Sequence, residues 1–153
     1  MTGVIAVDDP RVDDVRALLA THLAFAHQHS PPEDVHALDV DRLLDPAVTF
    51  FSYREDGRLL AVGALRRMDD GHAEIKSMHT ASEARGRGIG RAMLAHLVGE
   101  ARARGYRRLS LETGTMAAFA PARAMYASAG FVPCEPFGSY FHSQNSTCMT
   151  MAL

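Results

Sequence analysis

The pattern in this chain best suited to chemistry is a glycine- and arginine-rich run, Arg85-Gly86-Arg87-Gly88-Ile89-Gly90. An apolar-alternating segment precedes it, and a segment with helical periodicity follows over residues 89–104. A glycine-rich turn at a helix start leaves backbone N–H groups without helical partners, and these donors, together with the helix dipole, attract phosphate. Glycines also let the backbone approach an anion closely. Since Arg85, Arg87 and Arg91 add positive charge, the run predicts a diphosphate-binding loop.

Three kinds of phosphate-binding loop contain such glycines, and the spacing excludes two of them. A P-loop requires Gly-x-x-x-x-Gly-Lys-Ser/Thr, which is absent from the sequence. A dinucleotide-binding loop has Gly-x-Gly-x-x-Gly after the first strand and an acidic residue about 20 positions later. Here the glycines alternate, and several predicted strands come before them. The third kind is the coenzyme A pyrophosphate loop, with the pattern Arg/Gln-x-x-Gly-x-Gly/Ala.

Two glutamates, a tyrosine and a histidine are the candidates for acid–base chemistry. Glu74 and Glu112 fall on predicted central strands, where a buried carboxylate is costly unless it is partnered and where its pKa can rise into the range of a base. Pairing with Lys76 or an arginine is the alternative interpretation. Tyr126 lies on the inward face of a predicted helix, where a core tyrosine with a satisfied hydroxyl is the alternative. His79 could act as a base through water, because histidine titrates near neutrality.

The first half of the chain predicts a helical segment and then antiparallel strands. A strand is expected over residues 2–7. Asp9 as N-cap and Pro10 as the first helical residue predict a helix start, and a second short helix is expected at 40–44. The turn signals Glu55-Asp56-Gly57-Arg58 and Asp69-Asp70-Gly71 predict connections between three strands, at residues 48–53, 59–67 and 73–80.

The second half predicts a strand–helix–strand unit. A helix over 89–104, ended by Gly105, joins the strand at 73–80 to one at 108–113, so these two strands should be parallel. The remaining predicted elements are a helix at 119–129 and strands at 131–132 and 147–152. Together they predict an α/β fold in a single domain over 1–153, with a mixed sheet that is antiparallel first and parallel in the middle, and with helices on both faces.

The loop and its neighbouring motifs resemble the acetyl-CoA signature of the GNAT N-acetyltransferase superfamily. The loop continues as Arg91-Ala-Met-Leu, and the preceding Met78-His79-Thr80-Ala81-Ser82 is similar to that family's strand end. Residues 122–131 contain alternating small residues, a tyrosine and Gly-Phe, as in the family's later helix. Ser30-Pro31-Pro32 and Leu111-Glu112-Thr113-Gly114 resemble a YsnE-type bacterial subgroup.

The resemblance implies an enzyme that moves an acetyl group from acetyl-CoA to a primary amine of a small molecule or peptide, by direct attack on the thioester. It implies that Tyr126 is the acid that protonates the thiolate, with Glu112 and Glu74 as candidate bases. An N–H near Met78 or His79 would polarise the thioester carbonyl. The residues implied to contact the coenzyme are Met78, His79, Thr80, Arg85, Gly86, Arg87, Gly88, Ile89, Gly90, Arg91 and Ala122.

Composition and charge limit the kinds of partner, the location and the metals that we expect for this protein. A net charge of -2 disfavours nucleic acid. No apolar run approaches the ~20 residues of a membrane span, and the N-terminus lacks a signal-peptide pattern, so we expect a cytoplasmic protein. Cys134 and Cys148 lack metal-ligand spacing, and the histidines at 22–36 lack a completing carboxylate or cysteine, so no metal is expected. A homodimer is compatible with the chain, although no residue specifies one.

The sequence does not identify the acetyl acceptor, and it leaves one alternative function to be considered. The loop at 31–37, together with Tyr140 and His142 of a later loop, could contact the acceptor, and ordinary loop packing is the alternative. The alternative function is a non-catalytic acyl-CoA-binding or sensing domain, against which the tyrosine at position 126 argues. A fold-level resemblance does not transfer a substrate.

Overall fold

Seven strands and four helices build the protein, whose computed structural model describes residues 3–153. The strands are β1 (Val4–Val7), β2 (Val48–Glu55), β3 (Arg58–Arg67), β4 (His72–Thr80), β5 (Arg108–Gly114), β6 (Val132–Cys134) and β7 (Ser146–Ala152). The helices are α1 (Asp13–His29), α2 (Val40–Leu43), α3 (Ile89–Ala103) and α4 (Ala120–Ala129), with 3-10 turns at Pro32–Asp34, Ser82–Ala84 and Ala117–Phe119. No helix within residues 3–153 is long and apolar enough to cross a membrane.

One mixed sheet holds all the strands, in the order β1-β2-β3-β4-β5-β7-β6. The pairs β1/β2, β2/β3, β3/β4, β5/β7 and β6/β7 are antiparallel, and β4/β5 is parallel. The predicted fold class, with its parallel pair in the middle, is confirmed. The predicted first strand is seen over Val4–Val7, and Thr2 lies outside the described residues.

Apolar side chains cover both faces of the sheet, and each face carries helices. Phe50 belongs to the core that Val15 and Leu19 of α1 complete. The next residue, Phe51, points the other way, into the core that includes Leu97 of α3. This alternation follows from the two-residue period of a strand. Gly63 lets α3 approach the sheet, because a Cβ there would lie 3.1 Å from the Met93 side chain.

The predicted start of the first helix is wrong by about one turn. The Asp9 carboxylate accepts hydrogen bonds from the backbone N–H of Arg11 at 2.9 Å and from its Nε at 3.0 Å, which closes a tight turn ahead of the helix. Helix α1 begins at Asp13 with Val12 as N-cap and no side-chain cap. Asp9 therefore bonds locally to the turn, which is the competing use of an aspartate at a helix start.

The predicted hairpin between β2 and β3 is confirmed. Asp56 and Gly57 take positive φ angles of 50° and 80°, as a two-residue turn that matches the strand twist requires. A Cβ added at Gly57 would meet nothing within 4 Å. This glycine is therefore needed for its conformation alone.

The two cysteines face each other across a strand pair. Cys134 of β6 and Cys148 of β7 are register partners, although the sequence separates them widely. Both are free thiols. Burial raises the pKa of the Cys148 thiol to about 11, which keeps it protonated and unreactive near neutral pH.

We predict that Leu97→Ala lowers the free energy of unfolding by about 2–5 kcal/mol, since it removes a side chain that is 0% exposed between α3 and β3 and leaves a cavity. Leu44→Ala is the matched control, because Leu44 is 42% exposed and should change the free energy by less than about 0.5 kcal/mol. Urea denaturation of both variants measures the difference. Equal losses would contradict the assigned core.

Candidate active site

The parting of β4 and β5 opens a cleft in the middle of the sheet. Their parallel pairing covers only His72–Glu74 against Arg108–Ser110. Beyond it β4 continues to Thr80 paired with β3, while β5 pairs along its whole length with β7. Residues 75–80 and 111–114 therefore face each other with backbone N–H and C=O groups that are not hydrogen-bonded to a neighbouring strand. Both segments line the cleft, whose volume is about 640 Å³.

A β-bulge in β4 decides which side chains face each side of the sheet. Ser77 has a φ of 57°, and the register with β3 shifts between Lys76 and His79. Such a bulge inserts one extra residue and reverses the alternation after it. Ile75 and Met78, three positions apart, consequently both pack against the α3 side of the sheet.

The predicted phosphate loop lies at the mouth of the cleft, where α3 begins. Gly86 and Gly88 have φ angles of 78° and 80°, a conformation that favours glycine. The backbone N–H groups of residues 86–91 find no acceptor within residues 3–153 in hydrogen-bonding geometry. Arg85 and Arg91 line the same part of the cleft. This arrangement fits a diphosphate, because unsatisfied amides at a helix N-terminus bind anions.

Arg87 is the member of the loop that the structure turns away from the cleft. Its Nη2 donates to both carboxylate oxygens of Glu55, at 2.8 and 2.9 Å. Glu55 is buried at the end of β2. The ion pair therefore ties the loop to the neighbouring hairpin.

Tyr126 projects from α4 into the cleft and is 7% exposed. Its ring packs edge-on to Phe131, with centroids 6.0 Å apart, and its hydroxyl lies 4.0 Å from the Met78 sulfur. Burial, followed by the negative charge of Glu112, raises the pKa of the phenol to about 12. The hydroxyl therefore keeps its proton at neutral pH and can donate it to an anion formed in the cleft.

Glu112 lies on β5 across the cleft. The Ser146 hydroxyl donates a hydrogen bond to its Oε2 at 2.6 Å. Burial raises the pKa of this carboxyl to about 6, although Ser146 and the positive charge of Lys76 oppose the change. A carboxylate with this pKa is ionised at neutral pH and close to the pH at which a general base works best.

Glu74 lies outside the cleft and borders a second cavity of about 350 Å³. It is 3% exposed, accepts a hydrogen bond from the Tyr140 hydroxyl and pairs with Arg66 Nη1 at 3.4 Å and Lys76 Nζ at 3.6 Å. Lys76 also donates to the Tyr140 oxygen at 2.7 Å and to the His36 carbonyl at 3.0 Å. This network connects β4 to the loops around residues 36 and 140. Glu74 therefore has the pairing with Lys76 and an arginine that the sequence analysis gave as the alternative to a role as base.

His79 faces α1 and contacts a second histidine. Its Nδ1 lies 3.1 Å from Nδ1 of His22, so one of the two nitrogens carries the shared hydrogen. Burial lowers the pKa of each imidazole to about 4, and the charge of Arg85 adds to the effect on His79. Both rings are therefore neutral near pH 7, and His79 is a weak base. Within residues 3–153, no group of three or more His, Cys, Asp or Glu side chains could hold a metal ion.

The sequence did not single out several residues that line the cleft. Phe25 of α1 and Phe119 pack edge-to-face there, with centroids 5.4 Å apart. Asp34, from the predicted 31–37 loop, is 7% exposed and also lines the cleft. Only its unusual burial distinguishes Asp34, and burial cannot be read from a loop sequence. His142 instead lies on the surface, where its Nε2 is 3.1 Å from Glu135 Oε2.

The structure brings most of the predicted site residues into one cleft and leaves two outside. Glu74 and Arg87 are the two that do not line it. The residues brought together are Met78, His79, Thr80, Arg85, Gly86, Gly88, Ile89, Gly90, Arg91, Glu112, Ala122 and Tyr126.

Comparison with known proteins confirms the resemblance in the sequence. The pattern of the Acetyltransferase (GNAT) family matches residues 12–131. The chain is 45% identical over 149 residues to the uncharacterized N-acetyltransferase YsnE of Bacillus subtilis, covering 97% of this chain and 99% of that protein. The YsnE-type subgroup indicated by the sequence is thus also supported.

Solved structures share the whole fold. A crystal structure from Klebsiella pneumoniae superposes with a TM-score of 0.84 at 26% identity, covering 99% of this chain and 97% of that one. A GNAT family acetyltransferase from Elizabethkingia anophelis, solved with acetyl-CoA bound, has a TM-score of 0.72 at 18% identity and covers 99% and 98%. An acetyl-CoA co-substrate fits these similarities. The protein is an acetyltransferase, and the chain belongs to the GNAT family.

Proposed function

We propose that this protein transfers the acetyl group of acetyl-CoA directly to a primary amine of a small molecule or peptide, with Glu112 as general base and Tyr126 as general acid. The observation that carries the proposal is the placement of both groups in the cleft that begins at the phosphate loop. We also propose that residues 1–153 act as a single domain, because the strands from Val4 to Ala152 share one sheet.

The N-terminus of α3 would hold the coenzyme's diphosphate. Its free amides at residues 86–91 and the adjacent Arg85 and Arg91 supply donors and positive charge. The pantetheine arm would then lie between the parted strands, where unpaired backbone groups of β4 and β5 can bond to its amides. A backbone N–H near Met78 or His79 would polarise the thioester carbonyl.

Proton transfers accompany the making and breaking of the bonds. An ammonium cannot attack, so Glu112 removes a proton from the acceptor before the nitrogen bonds to the carbonyl carbon. The carbon–sulfur bond then breaks and leaves a thiolate, which takes the phenolic proton of Tyr126. The acylated nitrogen loses its remaining extra proton to the Tyr126 phenolate as the neutral amide forms, and Glu112 returns its proton to solvent. The separation of the two pKa values, about 6 for Glu112 and about 12 for Tyr126, suits these opposite roles.

The alternative of a non-catalytic coenzyme-binding domain is less well supported. Such a domain needs the phosphate loop but has no use for a half-buried carboxyl with a pKa raised to about 6 in the same cleft as a protonated phenol. Both groups line this cleft. The placement therefore favours catalysis.

We predict that Gly88→Ala weakens CoA binding about 10-fold or more, because the new methyl group occupies the space through which the amides reach the diphosphate. Gly57→Ala is the matched control: both glycines have a φ of 80°, and neither has a neighbour within 4 Å of an added Cβ. Backbone strain should therefore be equal, and only Gly88→Ala should lose affinity in calorimetry. Normal CoA affinity for Gly88→Ala would contradict the loop assignment.

We predict that Tyr126→Phe lowers kcat roughly 100-fold while leaving CoA affinity nearly unchanged, since it removes the donated proton and keeps the packed ring. Tyr106→Phe is the control, because Tyr106 packs on the same core outside the cleft. Steady-state thiol release measures kcat. A Tyr126→Phe enzyme with wild-type turnover would remove Tyr126 from the acid role.

We predict that kcat/KM rises with pH through about 6, because Glu112 must lose its proton before it can accept one. Glu112→Gln should lower kcat/KM roughly 100-fold at pH 7.5 and abolish this rise of kcat/KM with pH. The ratio of wild-type to variant kcat/KM, measured with one acceptor from pH 5 to 8, cancels the acceptor's own titration. Glu135→Gln, at an exposed site, controls for loss of a carboxylate. A ratio that does not change with pH would exclude Glu112 as the base.

A further inference from the structure

The cleft contains a buried acid whose hydrogen bonding is incomplete. Asp34 is 7% exposed and lines the cleft with Glu112. Its Oδ2 is 3.4 Å from the side-chain amide nitrogen of Asn145, while Oδ1 is buried and has no donor within residues 3–153. Because a buried carboxylate oxygen without a donor is costly, an N–H donor on a ligand would stabilise it.

The cation beside these acids is already held by groups of the protein. Lys76 Nζ donates to the His36 carbonyl and to the Tyr140 oxygen, and these bonds use two of its three N–H donors. Glu74 Oε2, at 3.6 Å, is its ion-pair partner and is shared with Arg66. Lys76 lines the cleft together with Asp34 and Glu112, so acids outnumber cations around it.

The other basic groups around the cleft do not change this balance. Arg85 and Arg91 flank the free amides at the start of α3, where the coenzyme's diphosphate would neutralise them. His22 and His79 are in contact and uncharged near pH 7. A carboxylate on the acceptor would thus enter a region in which the acids Asp34, Glu74 and Glu112 outnumber the cations Lys76 and Arg66, which is unfavourable.

Aromatic side chains form part of the cleft wall. Phe25 packs edge-on to Phe119, with centroids 5.4 Å apart, and to His79, with centroids 6.3 Å apart. Both phenylalanines line the cleft. Such a wall favours a flat apolar group on the acceptor, since aromatic rings pack well edge-to-face and offset.

We propose that the acceptor is a primary amine with an aromatic or otherwise apolar body and no carboxylate, and that Asp34 selects it by accepting an N–H of its ammonium group. This inference rests on the proposed function, because it assigns the substrate of the same cleft. Glu112 removes the proton from the acceptor nitrogen, and Asp34 contributes to the binding of the acceptor. The substrate class is therefore an arylalkylamine-like cation rather than an amino acid.

Acceptor pairs that differ by one carboxylate test the proposal on the wild-type protein. The pairs are 2-phenylethylamine with phenylalanine, tyramine with tyrosine, and histamine with histidine, each assayed by thiol release and by mass spectrometry of the product. We expect kcat/KM to be about 10-fold or more higher for the amine in each pair. Equal or higher values for the amino acids would overturn the inference while leaving amine acetylation intact. Absence of transfer to a broad amine panel, with normal CoA binding in calorimetry, would overturn the proposed function together with it.

Asp34→Asn tests the role of the acid itself. We expect a higher KM for 2-phenylethylamine, little change in kcat, and a smaller preference for the amine over phenylalanine. Glu33→Gln is the matched control, because it removes the same charge one residue away on the surface and should leave the preference unchanged. Calorimetry with CoA verifies that both variants fold. If Asp34→Asn lowered kcat/KM equally for both members of the pair, Asp34 would have a structural role only and the selection would not belong to it.

Discussion

The incomplete pairing of β4 and β5 is the constraint on which the rest of the site depends. Each strand is hydrogen-bonded along its outer edge, but their mutual ladder ends at Glu74 and Ser110. A sheet that stayed paired would have no cleft, and backbone groups on both facing edges would be satisfied. Because the ladder ends early, the middle of the sheet is open beside the N-terminus of α3, so one gap can hold a coenzyme arm and expose it to an acceptor.

Burial sets the chemistry inside that gap. The same low-dielectric surroundings raise the pKa of Glu112 to about 6 and that of Tyr126 to about 12. The first change brings a carboxyl close to the working pH of a base, and the second keeps a phenol protonated until a stronger base forms beside it. In the proposed mechanism, burial in one cleft therefore supplies both the proton acceptor and the proton donor.

The surroundings of Lys76 show how a charge can be engaged by the protein before a ligand arrives. Lys76 would suggest an anion site, yet its Nζ donates to Tyr140 and to the His36 carbonyl and forms an ion pair with Glu74. This network holds the loop around residue 36 and the loop around residue 140 against β4. In our interpretation, the chain uses a buried cation to build the pocket and leaves acids to recognise the ligand.

The sequence alone determined the order of the elements, the mixed sheet and the glycine-rich turn at the start of α3, because strand alternation, helical periodicity and positive-φ glycines are local properties. It also placed Glu112 and Tyr126 among the candidates. Tertiary structure decided what local patterns do not encode. The Ser77 bulge and the end of the β4/β5 ladder separate Glu112 in the cleft from Glu74 in the Lys76 network, and Arg87 turns to Glu55. The burial of Asp34 and the contact of His22 with His79 join segments far apart in the chain, and only packing brings them together.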